Sequence, residues 1–240
     1  MRYREIADEL SARLLAGEFP AGRLLPSESE LSAAYGASRV TVRRALEHLR
    51  TAGLVDSRQG FGWFAAVDPL RQSLGRLGTI EAQLAASGVV PERRVLGFAF
   101  VAAPAPVAAV LGEGPVLQVR RVNLADGNPF ARVTVWCPEA LGAELSRADV
   151  ERSPFYELLG IELGGASQVI GAVAAPADDA AVLEVPAGSP LLRCWRVTTS
   201  VSGEPVLVSE HVFPAHRTEF VVELSTSAPS IAPTGIRLVE

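Results

Sequence analysis

The chain reads as an α+β protein of two domains, a small helical one closed by a hairpin and a larger antiparallel one behind it. Three observations predict this. As far as Gly53, apolar residues recur at helical spacing between capping signals; beyond it, Val- and Leu-rich runs of strand length alternate with Gly, Pro and Asp. In the second half one unit (helix, turn, strand, turn, strand) occurs twice: Pro106–Leu111 through Asp126-Gly127-Asn128-Pro129 is echoed by Ala177–Leu183 through Ser202-Gly203-Glu204-Pro205. Such an echo implies a pseudo-symmetric sheet with two similar halves. The boundaries that follow are 1–66 for the first domain, a link over 67–78, 79–225 for the second domain and a tail over 226–240.

Tyr3, Ile6, Ala7, Leu10 and Leu14 share one side of a first helix, which Gly17 stops. The stretch from Phe19 to Pro26, carrying Pro20 and Gly22, is not helical throughout. Ser27-Glu28-Ser29-Glu30 is a capping box, in which the Ser27 hydroxyl and the Glu30 carboxylate satisfy each other's free backbone N–H groups. It opens a second helix that Gly36 ends. Ser38 caps a third, where Val42, Ala45, Leu46 and Leu49 form an apolar stripe before Gly53. Two helices joined through a short glycine turn make the pattern of a helix-turn-helix.

The outward side of the third helix holds Ser38, Arg39, Val40, Thr41, Arg43 and Arg44. Arg39 and Arg43 are one turn apart and stack on one side near the N-terminal end, where a recognition helix meets base edges. An arginine can donate to both guanine acceptors, Val40 suits a thymine methyl, and Ser38 or Thr41 suits a phosphate. Leu54 to Ala65 reads as a hairpin, and a hairpin directly after a recognition helix is a wing. Its tip, Arg58-Gln59-Gly60, suits the DNA backbone or the minor groove. The bland alternatives are a solvated basic face and an ordinary turn; the position of both features favours recognition.

Leu25-Pro26-Ser27-Glu28-Ser29-Glu30-Leu31, Ser38-Arg39-Val40-Thr41-Val42-Arg43-Arg44-Ala45-Leu46, Leu49, Gly53-Leu54-Val55 and Gln59-Gly60-Phe61-Gly62 together resemble the winged helix-turn-helix domain of the GntR family of bacterial transcription regulators. The resemblance spans nearly all of residues 2–65. It implies DNA contacts from Ser27, Glu28 and Ser29, from Ser38, Arg39, Val40, Thr41, Arg43 and Arg44, and from Arg58, Gln59 and Gly60 in the wing. Many members carry a basic residue where Ser29 stands. A serine is too short for a bidentate base contact, so base preference there departs from the family's.

In the second domain, Thr79 to Ser87 reads as a helix closed by Gly88, after a polar link from Asp68 to Gly78. Strands are expected at Arg94–Val101, Val116–Leu124, Phe130–Trp136, Ser167–Ala174, Leu191–Val201 and Val206–Val212. Short helices are expected at Pro106–Leu111, Ala140–Leu145, Ser153–Leu159 and Ala177–Leu183, with Asp178-Asp179 as the start of a surface helix. Gly88, Pro91, Arg121, Leu124, Asp126-Gly127, Pro129, Pro138, Phe155-Tyr156-Glu157-Leu158-Leu159, Leu191 and Arg217 resemble the UTRA effector domain of HutC-type GntR regulators, whose fold is similar to chorismate lyase. This implies a homodimer built largely through the domain, with a small-molecule pocket in each copy.

The resemblance makes Glu81, Arg121, Asn123, Arg132, Thr134, Tyr156, Ser209 and Glu210 the candidate effector-binding residues. Relatives that sense phosphorylated sugars carry Arg-x-Arg on the first hairpin, where this chain has Arg121-Val122-Asn123. Their two carboxylates correspond to Val133 and Leu207, a serine to Pro154, and a hydroxyl to Glu81, whose charge repels phosphate. Each missing anchor leaves a polar group unpaired, at about 1–3 kcal/mol. A less polar, non-phosphorylated effector follows, the alternative being no effector at all.

Composition closes other routes. With 48% hydrophobic and 20% charged residues in 240, the chain can bury a core, and no apolar stretch reaches the ~20 residues of a membrane helix. No apolar segment follows the first residues, so no signal peptide is expected and the protein reads as cytoplasmic. The net charge is −5, but residues 1–67 carry +1 and the remainder −6, so a positive DNA-facing side is compatible with an acidic whole. All 22 basic residues are arginine, which suits forked donation to phosphate and guanine and also fits compositional bias in a GC-rich genome. Cys137 and Cys194 are expected as buried thiols, and His48, His211 and His216 are too scattered for a metal site. No nucleophile or cofactor motif is present, so neither catalytic residues nor a cofactor are expected. The expectation is a DNA-binding regulator, a repressor acting on an inverted repeat of double-stranded DNA. Its alternatives are a lyase-like enzyme domain fused to a DNA anchor, and an effector-less, sequence-indifferent DNA binder.

Overall fold

The computed structural model describes residues 2–58, 60–67, 70–74 and 90–222. Gln59, Glu81 and the helix read over Thr79 to Ser87 lie outside the described residues. Helix α1 (Arg2–Leu15) buries Ile6, Ala7 and Leu10, and α3 (Arg39–Thr51) buries Val42, Ala45, Leu46 and Leu49. Between them α2 (Glu28–Tyr35) contributes Leu31. These stripes close on one core with Leu25, Val55, Trp63 and Ala65. The caps are those the sequence predicts: Ser27 and Glu30 form the reciprocal box, and Ser38 accepts from the Thr41 amide. Gly36 ends α2 in the left-handed region at φ 52°, a conformation that costs a side chain most and glycine least.

Strands β1 (Val55–Arg58) and β2 (Gly62–Ala65) form the expected antiparallel hairpin. The segment before α2 joins it as a third line of chain. Leu24 bridges Phe64, and the Leu25 amide donates to the Trp63 carbonyl at 2.9 Å.

The second domain is a six-stranded antiparallel sheet in the order β4-β5-β6-β9-β8-β7. Its strands are β4 (Pro91–Ala102), β5 (Pro115–Ala125), β6 (Asn128–Pro138), β7 (Leu163–Ala174), β8 (Pro190–Ser200) and β9 (Pro205–Pro214). With α4 (Ala105–Leu111) and α8 (Ala177–Leu183), the two halves β4-α4-β5-β6 and β7-α8-β8-β9 meet at the β6–β9 pair. The repeated unit read in the sequence is therefore the symmetry of the sheet. At the β5–β6 turn, Asp126 (φ 48°) and Gly127 (φ 76°) both take positive φ, as a tight two-residue hairpin requires.

Each strand runs one to four residues beyond its expected start or end, because pairing continues past the apolar run that signals it. Three features differ from the sequence reading. Residues 70–73, within the stretch read as a link, form β3 (Leu70–Ser73), which pairs in parallel with β10 (Thr218–Val221). A further helix, α6 (Arg147–Arg152), opens on a Ser146/Asp149 capping box between α5 (Glu139–Gly142) and α7 (Phe155–Leu158). Asp179 is no surface cap; it is buried, because α8 lies flat on the sheet.

One face of the sheet carries the main core. Leu117, Val119, Val133, Val135, Leu207 and Phe213 pack beneath Val150 and Phe155 of α6 and α7, with Leu70 and Phe220 of the parallel pair at the margin. The other face is covered by α4 and α8. Val107 packs there on Trp136 and Val208, while Ala180 and Leu183 join Leu191 and Val212. The hairpin of the first domain completes that second cluster with Phe61 and Phe64, so the two domains share a core.

Candidate functional site

The third helix shows its predicted face to solvent. Ser38, Arg39, Val40, Arg43 and Arg44 are exposed, and Val40 is 78% exposed despite being aliphatic. A valine kept out of the core beside two arginines costs hydrophobic burial. The Ser38 and Thr41 hydroxyls lie 2.9 Å apart at the helix start. The arginines differ in their surroundings. Among the described residues Arg39 makes no ion pair, whereas Arg44 lies over the Tyr3 ring, 4.4 Å from its centroid. Arg43 donates through Nε and Nη2 to the two oxygens of Glu28, at 2.8 and 2.7 Å.

Glu28 is half-buried, and its Oε1 also accepts from Trp63 Nε1 on β2 at 3.1 Å. The Arg43 guanidinium first, and the Trp63 indole after it, hold its carboxyl below the usual range. Of the other predicted residues at the start of α2, Ser27 is occupied by the cap and Ser29 is exposed. In the wing, Arg58 and Gly60 are exposed, while Phe61 turns in against the second domain.

That contact between domains has a polar centre. Gly22 O accepts from Arg217 Nε at 3.1 Å and from Arg217 Nη2 at 2.7 Å; His216 Nε2 lies 3.1 Å from the same oxygen. Arg217 Nη1 donates to Pro129 O at 2.9 Å. Both side chains are buried, and the His216 ring lies 4.4 Å from that of Phe61 and 5.1 Å from that of Phe64. Burial lowers the Arg217 pKa to about 10; burial, then the Arg217 charge, lowers that of His216 to about 4. Arg23 pairs with Glu184 at the edge of the contact. Arg217 belongs to the residues that carry the family resemblance, and this geometry supplies its role.

The effector candidates divide between the two faces. Arg121 stands beside Val133 and Asn123 beside Ala131; β9 continues the Arg121–Val133 row with His211, and Ser209 stands beside Val135 on the same face. Tyr156 reaches this face from above: its hydroxyl accepts from Arg196 Nη1 at 3.0 Å, and Arg196 Nε donates to Gln168 at 2.7 Å. Val133 and Leu207, the positions without carboxylates, are buried on the same face. His211 lies 3.0 Å from the Ser209 hydroxyl. Loss of solvation, followed by the Arg196, Arg121 and Arg132 charges, lowers its pKa well below the histidine range.

Arg132, Thr134 and Glu210 lie on the opposite face. Arg132 donates to Asp179 through Nε at 2.9 Å and Nη2 at 2.7 Å, and through Nη1 to both Glu210 and Thr134. Arg193 pairs with Glu210 at 2.6 Å, and Arg120 with Asp179 at 3.2 Å. This network fastens α8 to the sheet. Arg196, Gln168, His211 and Asp179 were missed by sequence reasoning; only their alternation along the strands could have flagged the first three. A groove of ≈ 620 Å³ lined by Ala102, Ala103, Ala105, Ala108, Glu113 and Pro115 shares no residue with either set.

Both cysteines are buried free thiols, with burial raising their pKa values to about 12 for Cys137 and about 11 for Cys194. No cluster of three metal-ligating side chains occurs among the described residues.

Comparison with known proteins gives this geometry a family. Residues 2–65 match the bacterial regulatory proteins of the gntR family, and residues 86–219 match the UTRA domain. The HTH-type transcriptional regulator Rv0792c of Mycobacterium tuberculosis is 34% identical over 233 residues, covering 94% of this chain and 86% of that protein. The HTH-type transcriptional repressor NagR of Bacillus subtilis is 28% identical over 225 residues, 91% of this chain and 93% of the repressor. The crystal structure of PhnF from Mycobacterium smegmatis superposes with a TM-score of 0.62 at 26% identity, covering 92% of this chain and 99% of that one. These relatives are regulators rather than enzymes, which answers the lyase alternative. The chain belongs to the GntR family of DNA-binding transcription regulators and carries a UTRA domain behind its winged helix-turn-helix.

Proposed function

We propose that this regulator is a cytoplasmic homodimeric repressor that binds an inverted repeat, one recognition helix in each half-site. A small-molecule effector on the UTRA domain changes its hold. The observation that carries the reading is the solvent-facing side of α3, where Arg39, Val40 and Arg43 are exposed. Relatives named as repressors support the sign of regulation. No described helix is long and apolar enough to cross a membrane.

The dimer contact is assigned to the second domain. Edge strand β7 carries no charged residue and leaves Val169 69%, Ile170 38% and Val173 36% exposed, an unprotected edge that a second copy would cover. The effector is placed on the face of Arg121, Asn123, Tyr156 and Ser209, with Arg196 beside them. Arg132, Thr134 and Glu210 then serve the α8 network. Val133 and Leu207 favour a ligand less polar than a sugar phosphate. The wing and α8 share a core, so the effector domain can bias the DNA-binding domain through direct packing as well as through residues 66–78.

Footprinting on duplexes selected by the purified protein from a random pool tests the proposal. Two symmetric protected half-sites and one dimer per duplex are expected. Binding indifferent to sequence with a steep salt dependence would contradict it, as would product formation from chorismate.

A further inference from the structure

We infer that Glu28 is a positioning residue for base readout, which holds Arg43 in the orientation that presents its end-on donors to a guanine. The inference rests on the proposed seating of α3 in the major groove and assigns Glu28 a role other than touching DNA. Three observations meet at this carboxylate. It takes Arg43 Nε and Nη2 as a bidentate pair at 2.8 and 2.7 Å. Its Oε1 is itself fixed by Trp63 Nε1 at 3.1 Å, so α2, α3 and the wing strand converge on one group. The Glu28 side chain is only 19% exposed while that of Arg43 is 66% exposed, so the anchor is sheltered and the arginine is presented.

The donor arithmetic gives the geometry its meaning. A guanidinium carries N–H groups on Nε, Nη1 and Nη2 in a fixed fork. Glu28 consumes the side-on pair, Nε and one hydrogen of Nη2. Both hydrogens of Nη1 and the second of Nη2 remain; that Nη2 hydrogen and the Nη1 hydrogen beside it form the end-on pair that matches guanine O6 and N7. A free arginine on a helix surface samples many rotamers and can equally satisfy a phosphate side-on. Held this way, it keeps the base-reading edge outward and has little freedom left to lose on binding.

Electrostatics alone predicts the opposite sign, which makes the idea testable. A carboxylate near a DNA interface repels phosphates, so neutralising it should tighten binding to every sequence. If Glu28 positions Arg43, Glu28→Gln instead weakens specific binding, because the amide nitrogen cannot accept the second arginine N–H.

The experiment is fluorescence anisotropy with the full-length protein. It uses a duplex selected from a random pool, the same duplex with each half-site G·C pair replaced by A·T, and an unrelated duplex, at several salt concentrations. Glu28→Gln is expected to weaken the selected duplex by about threefold to tenfold, the worth of one side chain freed from a fixed rotamer. Its binding to the unrelated duplex should stay equal or tighten. Discrimination should vanish at the G·C pair where Arg43→Ala also loses it, and the double variant should be no weaker than Arg43→Ala alone. Equal tightening on all duplexes, or additive losses in the double variant, would overturn the proposal. Trp63→Phe, which keeps the ring but frees the carboxylate, gives a second variant expected to relax the same position should Glu28→Gln fold poorly; unchanged discrimination in it would also count against the proposal. Weakening by Arg43→Ala with Glu28→Gln indistinguishable from wild type defeats this inference alone. Indifference to both Arg39→Ala and Arg43→Ala defeats the seating of α3 itself.

Discussion

Arg217→Met separates the contact between domains from the folding of either. Methionine keeps most of the stem volume and removes every donor. Gly22 O and Pro129 O, which accept at 2.7 and 2.9 Å, are then left short of partners in a buried place. An orphaned carbonyl costs about 1–3 kcal/mol; Pro129 O loses this donor outright and Gly22 O keeps only His216 Nε2 at 3.1 Å, so the gross loss lies in the lower part of about 2–6 kcal/mol. Part is recovered, because the guanidinium is itself desolvated, enough to bring its pKa to about 10. A net loss of about 2 kcal/mol remains, or roughly 30-fold in the docking equilibrium. Guanidinium denaturation followed by circular dichroism and by Trp63 fluorescence in a variant lacking Trp136 and Trp195 reads it. Wild type should show coincident transitions, since Phe61 and Phe64 share a core with Leu183 and Val212. Arg217→Met should move the Trp63 transition to lower denaturant, ahead of the second domain. Coincident transitions at an unchanged midpoint would refute the idea that Arg217 fastens the two domains.

Two further outcomes follow from the same structure. Burial lowers the His216 pKa to about 4 in the folded state against the ordinary 6.5, so the unfolded chain binds the extra proton and stability falls as pH drops between those values. Between pH 7 and 5.5 that loss is about 1.2 kcal/mol, and His216→Gln should flatten the pH dependence of unfolding by this amount; equal slopes would exclude it. Val169→Glu on the edge strand, at a position 69% exposed, should convert a dimer to monomers in sedimentation velocity without lowering thermal stability of the monomer. A dimer that persists at the same concentration would place the interface elsewhere.

The parts legible in the sequence are those written locally. Ser27, Glu30 and Ser38 fix helix starts through bonds spanning three residues, and the stripe Val42, Ala45, Leu46 and Leu49 is a property of one helix. The doubled unit in the second half exposed the sheet's symmetry before any pairing was known. Non-local pairing was not legible. β3 meets β10 across most of the chain, and neither four-residue segment carries enough alternation to announce itself. Asp179 read as a surface cap because nothing local says that α8 presents it to Arg132.

The division of the effector candidates has a single cause. From the tight turn, Ala125 pairs with Asn128 and Leu124 with Pro129; continued unbroken, Arg121 would stand opposite Arg132 on one face. A bulge between Asn123 and Leu124 shifts the register by one residue, so Arg121 stands opposite Val133 and Arg132 opposite Val122. One extra residue therefore moves Arg132 and Thr134 to the other side of the sheet. Alternation along a strand is readable from sequence, but a bulge resets it without a reliable local sign.

The most direct measurement compares the wild type with the double variant Arg39→Ala/Arg43→Ala, titrated into a duplex selected from a random pool and into an unrelated duplex. The double variant is expected to lose about tenfold or more on the selected duplex, until the two duplexes are bound nearly alike, because each bidentate guanine contact is worth about 1–3 kcal/mol of discrimination. A double variant that still prefers the selected duplex as strongly as wild type does would show that the exposed side of α3 is not what reads the DNA.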